Sequence, residues 1–577
     1  MSFEYFDRDD EGNLTEMVNA IRGISFDASP GDLVVVCGKN GSGKSTFARI
    51  LNRILVPIEG NTEIFGMDAS DEDNKYKIRS KVGMVFQNPD DQFVGSVVEE
   101  EVAFGAENLA VPEKQLKSRV EKALRSVGLE PSEFSERGIE ELSGGEKQKV
   151  AVAGILAMGT ECVVLDEATA MLDLASEREL MSVLKRLAAE KKIIVILITH
   201  NMEELTYADY IYVMDKGRVV KRGRKSVVLA DGAALIKYGL ALPKACEIAS
   251  GLKAAGVIRT DALYSIPEVA DRIFKEHMYC FKGDGTFPAL KRTKRKIRPV
   301  NAVIMNKASC AYGKKQVIRD VSCTVAKGEF VAVVGGTGAG KSTLLKMMMG
   351  LKAAKQGMVY VDGLDVNDRG TDMKQLNRKM GYLFQFPEHQ LFLKNVYEDV
   401  VFGPMNLGVS GVEAQKRAYE CIELVGLPQD VYDLPMYKLS GGMKKRAALA
   451  GVLAMEPEYL ILDEPTAGLD PAGAADFMAL IDALHRDAGI TVIMATHDME
   501  MVAAYADTVI VMDKGEVIYE GVPAEVFLEA AVDGDERLSV VPAVQELMIE
   551  LRKKGLNVNP YITDVRAATE EIARFCR

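Results

Sequence analysis

GKNGSGKST, running from Gly38 to Thr46, is the stretch on which the fold of this chain turns. It follows the apolar run Leu33-Val34-Val35-Val36-Cys37 and leads into the helix-like Phe47-Ala48-Arg49-Ile50-Leu51. A buried strand, a glycine turn and a helix N-terminus in that order make a phosphate cradle. Successive backbone N–H groups and the positive end of the helix dipole converge on one concavity. Gly38, Gly41 and Gly43 let the backbone approach phosphate oxygens, Asn40 and Thr46 complete the loop, Lys44 suits β- and γ-phosphates, and the Ser45 hydroxyl suits Mg²⁺. The pattern returns at GGTGAGKST, Gly335 to Thr343, after Phe330-Val331-Ala332-Val333-Val334. There Gly335, Thr337, Gly338, Gly340, Lys341, Ser342 and Thr343 take the same places.

The 577 residues should hold several domains, and at 48% hydrophobic they can bury sizeable cores. A net charge of -13 argues against a general nucleic-acid binder. No apolar run approaches the ~18 residues of a spanning helix. The acidic start MSFEYFDRDDEGN lacks a signal peptide's basic-then-apolar layout. The eight cysteines are scattered without a C-x-x-C pair, which predicts a reducing setting.

One unit is written twice. Lys44 and Lys341 stand 297 residues apart, and the same interval separates Ser143 from Ser440, Asp166 from Asp463, Asp173 from Asp470, and His200 from His497. This is too long for a solenoid repeat and predicts two homologous domains. The tails repeat too: Pro243, Leu252 and Gly256 map onto Pro542, Leu551 and Gly555. Cys246 to Ala255 and Val544 to Lys554 have helical spacing and end at a glycine, which predicts a small helical appendage on each half. The expected division is 1–224 and 301–521 for the two α/β domains, 225–282 and 522–577 for the appendages, and 283–300 for a linker. The linker's KRTKRKIR (291–298) reads first as a solvated tether, with anionic lipid contact as the alternative and RNA contact a distant third.

Each half offers further polar residues in one order. The first has MVFQ ending at Gln87, LSGGEKQ with Ser143, Gly144 and Gly145, CVVLDE ending at Asp166-Glu167, MLD with Asp173, and IIVILITH ending at His200. The second has YLFQ ending at Gln385, LSGGMKK with Ser440, Gly441 and Gly442, LILDEP with Asp463-Glu464, GLD with Asp470, and VIMATH ending at His497. Apolar strands ending in polar residues predict a mostly parallel sheet with its chemistry at the carboxyl edge. Asp166 and Asp463 suit a nucleotide-bound metal, Glu167 and Glu464 suit polarising a water, and His200 and His497 suit a γ-phosphate in the transition state. LSGG before a helix-forming run is a second anion site, about a hundred residues from the phosphate loop.

These motifs in this order resemble the ATPase domain of ABC transporters across nearly all of both halves. The resemblance implies an α/β fold: two P-loop ABC-type nucleotide-binding domains, each with a mixed sheet core, a helical subdomain and a C-terminal appendage. It implies ATP and Mg²⁺ as cofactors, with Gln87 and Gln385 joining the catalytic and metal sets. It also implies a head-to-tail pairing of the halves within one chain. Lys44, Asp166, Glu167 and His200 would share one ATP with Ser440 and Gly442. Lys341, Asp463, Glu464 and His497 would share another with Ser143 and Gly145. Asp173 and Asp470 would communicate across the interface. Adenine would stack on Tyr312 and, in the first half, on Tyr5, with Phe6 the alternative.

The segments FQNPDDQFVGSVVEEEVAFGAENLA and FQFPEHQLFLKNVYEDVVFGPMNLG resemble the two unlike ATPases of energy-coupling-factor (ECF) importers, here in one chain. EATAMLD and EPTAGLDP fit that pair, with Leu174 standing where proline is usual. The resemblance implies partners the chain does not contain: a transmembrane scaffold subunit and a substrate-binding membrane subunit, gripped through 88–104 and 386–402. It implies peripheral association with the cytoplasmic face of the membrane and no nucleic-acid partner. The rival readings are a tandem ATPase of the ABC-F translation-factor type and the motor of a conventional ABC importer. The short linker and the groove sequences disfavour the first; the grooves disfavour the second less decisively.

Overall fold

A computed structural model describes residues 1–8, 14–170, 172–288, 301–368, 370–535, 537 and 541–576. The basic run 291–298 and most of the acidic insertion 7–13 lie outside the described residues. The chain divides into two compact units, Met1–Glu247 with Asp470–Ala472, and Ile248–Leu469 with Gly473–Arg577.

In the first unit the six-stranded sheet runs in the order Arg218–Arg224, Tyr210–Asp215, Leu33–Gly38, Ile194–Thr199, Cys162–Asp166, Val82–Val85. All neighbours are parallel except the first pair. Leu33–Gly38, Cys162–Asp166 and Ile194–Thr199 are buried along their whole length, which explains why they read as unbroken apolar runs rather than alternating ones. Burying each Val, Leu or Ile of these strands contributes about 1.5–3 kcal/mol. Pairing Asp166 with Ile198 and Cys37 with Thr199 brings Asp166, the phosphate loop and His200 to one edge.

The second unit repeats this sheet in the order Met380–Leu383, Tyr459–Asp463, Thr491–Ala495, Phe330–Val334, Thr508–Asp513, Glu516–Gly521, again with one antiparallel edge. Antiparallel strands flank each core: Phe3–Arg8 with Leu14–Ile21 in the first unit, and Asn301–Tyr312 between Lys315–Ala326 and Gln356–Val361 in the second. Helical subdomains are built from Val98–Asn108, Glu113–Ser126 and Gly144–Met158 in the first unit. Val396–Asn406, Gly411–Leu424 and Gly441–Leu453 form the counterpart in the second.

The tail helices are Lys244–Ala254 and Ile266–Glu276 after the first core, and Ala543–Lys553 and Val565–Cys576 after the second. Both helices expected from the repeat are present. Gly256 and Gly555 sit just past their ends with φ of 73° and 100°, conformations that glycine enters without strain. From Ile248 onward the first tail groups with the second unit. Within that unit Ile266–Glu276 packs on Ala543–Lys553, Gly283 N–H donates to Gly555 O at 2.7 Å, and Lys554 pairs with Asp271 at 2.8 Å. Among the described residues no helix is long and apolar enough to cross a membrane.

Candidate active site

Both phosphate loops are shaped by close backbone approach. A Cβ on Gly38 would lie 2.2 Å from Met214 O, and one on Gly43 would lie 2.4 Å from Ala20 O, so only glycine fits either place. The helices Lys44–Leu51 and Lys341–Met348 start directly after Gly43 and Gly340, with no side-chain cap on their first N–H groups. Those donors face the concavity, as an anion site requires. Lys44 Nζ donates to Gly38 O at 2.9 Å and Lys39 O at 3.1 Å; Lys341 Nζ donates to Gly335 O at 2.7 Å and Gly336 O at 3.2 Å.

At the strand ends a hydroxyl meets a carboxylate in each half. Ser45 Oγ donates to Asp166 Oδ1 at 3.0 Å, and Ser342 Oγ donates to Asp463 Oδ1 at 3.0 Å. Burial pushes both aspartates above the ordinary carboxylate range, against the hydrogen bonds that lower them. A buried acid beside a hydroxyl, next to an anion cradle, is an all-oxygen donor set that fits Mg²⁺.

One residue on, Glu167 and Glu464 adopt the left-handed conformation, with φ of 53° and 48°. A non-glycine residue pays for this strain, and its side chain is thereby turned out of the strand. Their backbone N–H groups bond Ile198 O and Ala495 O on the histidine strand. His200 Nδ1 lies 3.4 Å from Glu167 Oε1, and His497 Nδ1 lies 3.0 Å from Glu464 Oε2. Burial alone would raise Glu167, but His200 and Lys44, the latter 3.9 Å away, outweigh it and hold the carboxyl below its usual range. Burial alone would lower His497; the hydrogen bond to Glu464 and the field of Glu464 and Asp498 win, and the imidazole is held above its ordinary value.

Ser143 caps Gly144–Met158 in a reciprocal box with Glu146, whereas Ser440 caps Gly441–Leu453 through Met443 N alone. Asp173 caps Leu174–Lys191 by accepting from Ser176 N at 2.9 Å, so Leu174 in place of proline still starts a helix. Asp470, grouped with the first unit, accepts from Asn40 N at 2.9 Å. Tyr5, on the first strand, meets Thr46 Oγ1 at 3.3 Å through its hydroxyl. Half-exposed Tyr312 has the Lys352 ammonium 4.1 Å from its ring centre. The carbonyl of Gln87 accepts from Gln148 Nε2 at 3.2 Å; Gln385 lies just beyond the strand Met380–Leu383.

The family comparison decides between an unrelated phosphate-loop fold and the ABC arrangement. The model of the ABC transporter family matches residues 21–170 and 318–467, once in each half. The chain belongs to the ABC transporter family. This ABC protein is an ATPase with two ATP-binding domains in one chain. Its tandem relatives include a "Putative ABC transporter ATP-binding protein" of Methanosarcina mazei, 36% identical over 94% of this chain and 92% of that one. A "Putative HMP/thiamine import ATP-binding protein YkoD" of Bacillus subtilis is 32% identical over 87% of this chain and 88% of that one. The single-domain "Energy-coupling factor transporter ATP-binding protein EcfA2" of Clostridium perfringens is 43% identical over 49% of this chain and 98% of that one.

Three supporting residues of this ABC ATPase are not in the motif readings. Tyr382 donates to Asp463 Oδ2 at 2.9 Å. Lys445 donates to the carbonyls of Pro465 and Ala467 at 2.9 and 2.6 Å, holding the turn after Glu464. Glu204 is fully buried, with burial pushing its carboxyl up, beside Thr169 and Thr199. Tyr382 stands in YLFQ and Lys445 ends LSGGMKK, so each lay inside a quoted motif without an assigned role.

Proposed function

We propose that this ABC ATPase is the motor of an ECF-type importer, coupling ATP binding and hydrolysis to uptake of a vitamin or transition-metal ion through separate membrane subunits. The observation that carries this reading is an exposed apolar surface after each glutamine. In the first half Val94 and Phe104 are exposed, and in the second Phe386, Phe392 and Phe402, with the Phe392 and Phe402 rings 5.0 Å apart. Aromatic residues left in water on a segment of this length suit the coupling helices of a membrane partner. The likeness to an EcfA2 protein and to a tandem relative named for HMP/thiamine import supports import over translation. The ATPase would then sit at the cytoplasmic face of the membrane, held there by its partner.

In this reading Lys44 and Lys341 bind the β- and γ-phosphates, and Ser45, Gln87, Asp166 and Ser342, Gln385, Asp463 hold Mg²⁺, which neutralises phosphate charge when bound. Glu167 and Glu464 orient and polarise the attacking water, and the histidines donate to the γ-phosphate. Ser440 and Gly442 complete the first site and Ser143 and Gly145 the second, so that ATP draws the halves together and hydrolysis releases them. Tyr5 and Tyr312 stack on adenine.

Two experiments test this. In Glu167→Gln with Glu464→Gln, ATP turnover falls at least about a hundredfold while ATP binding persists; unchanged turnover removes the water-activating role. Affinity purification of the full chain from its own cells should bring down a small hydrophobic membrane subunit, and Phe392→Asp should weaken that capture. Ribosomal RNA in its place would favour the translation-factor reading.

A further inference from the structure

Three residues after each histidine stands a glutamate, Glu203 or Glu500. In the first half Asn201 caps the turn Met202–Tyr207 by accepting from Glu203 N, and Glu203 Oε1 then accepts from Lys244 N–H at 2.8 Å. In the second, Asp498 caps Met499–Tyr505 by accepting from Glu500 N and Met501 N, and Glu500 Oε1 accepts from Ala543 N–H at 2.6 Å. Lys244 and Ala543 are the first residues of the helices Lys244–Ala254 and Ala543–Lys553, which open the two appendages. The residues before them are Pro243 and Pro542, whose side chains carry no acceptor. The first N–H groups of a helix need an acceptor, and a carboxylate also suits the dipole there. In both appendages that carboxylate comes from the histidine segment. The turn carrying it differs, 3₁₀ in one half and α in the other, yet the same bond is made.

We propose that Glu203 and Glu500 are positioning residues that tie the γ-phosphate-sensing histidines to the first turns of the appendage helices, so that this turn and the histidine segment move as one piece. The inference rests on the role given above to His200 and His497. The appendage helix thereby restrains where each imidazole stands against Glu167 or Glu464, and nucleotide at the phosphate loop is felt at the first turn of that helix.

The test uses the full chain with Mg²⁺ and ATP, comparing Glu203→Ala/Glu500→Ala with Glu203→Gln/Glu500→Gln, which keeps an acceptor oxygen. The Ala pair should lose about fivefold or more in kcat with KM for ATP within about twofold, and the Gln pair should stay near the parent. Amide exchange at 244–247 and 543–546 should respond to ATP in the parent and in the Gln pair, and lose that response in the Ala pair. Unchanged kcat in the Ala pair, an intact ATP response there, or a Gln pair as slow as the Ala pair each overturns the proposal. His200→Ala/His497→Ala is the control: if it keeps full turnover, the histidine reading falls and takes the proposal with it. If it loses turnover while the Ala pair does not, the proposal alone falls.

Discussion

The two halves place the same serine–aspartate and glutamate–histidine pairs at matching positions and support them differently. Asp463 is braced by the Tyr382 hydroxyl, whereas the matching position in the first half is Met84, which can give Asp166 no such bond. Behind Glu167 and His200 lies the buried acid Glu204, whereas behind Glu464 and His497 lies Met501, whose sulfur takes the Thr466 hydroxyl at 3.5 Å. Ser143 works in a reciprocal capping box with Glu146; Ser440 has Met443 at that place and caps alone. The groups proposed to meet ATP leave little latitude in residue type, while the groups that steady them need only fill space and satisfy one another. Two sites built from the same residue types can therefore rest on unequal scaffolding.

The largest effects should be the same in both halves. Lys44→Ala and Lys341→Ala each remove the ammonium proposed to bind phosphate and should weaken ATP binding at their own half by about 10–100-fold, read by calorimetry. A marked difference between the two would break the equivalence. Next comes Tyr382→Phe, which strips a buried bond to a carboxylate and should cost about 2 kcal/mol in denaturant unfolding of the second half. Met84→Leu, at the matching place, conserves volume and should stay within about 1.5 kcal/mol.

Smaller still, and pH-dependent, is Glu204→Met, which gives the first half the second half's residue. Burial raises the Glu204 pKa in the fold, so its contribution is favourable below the unfolded carboxyl value and is lost as pH rises through the folded value. The variant should therefore gain in Tm relative to the parent as pH climbs from about 4 to about 8. A gap that closes with rising pH contradicts this. The sign for His497 is reached from the other side. Its raised pKa gives stability that is complete below the free imidazole value and fades as pH passes the folded value, so the Tm deficit of His497→Ala should shrink from about pH 6 to about pH 9. Smallest is Glu146→Met, which opens the capping box and should cost about 0.5–1 kcal/mol.

What the chain disclosed in advance follows the reach of each interaction. The phosphate loops, the Asp-Glu strand ends and the histidines were legible because strand, turn and polar residue are neighbours in sequence and recur at one interval. Parallel order was legible because Leu33–Gly38 and Ile194–Thr199 are apolar on both faces. Tyr382 and Lys445 were not, since their partners lie 81 and about 20 residues away and only the folded sheet edge brings them together. Nor was the link from Glu203 to Lys244, which spans 41 residues. The appendage helices could be read from their spacing, but the packing of Ile266–Glu276 on Ala543–Lys553 joins segments nearly half the chain apart.

The most direct measurement is the structure of the full chain carrying Glu167→Gln and Glu464→Gln with ATP and Mg²⁺ bound. The account predicts two nucleotides, the one held at Lys44 also bonded through its γ-phosphate to Ser440 and Gly442, and the one at Lys341 to Ser143 and Gly145. Two nucleotides each touched by one half alone, with both LSGG turns remote from any phosphate, would contradict it.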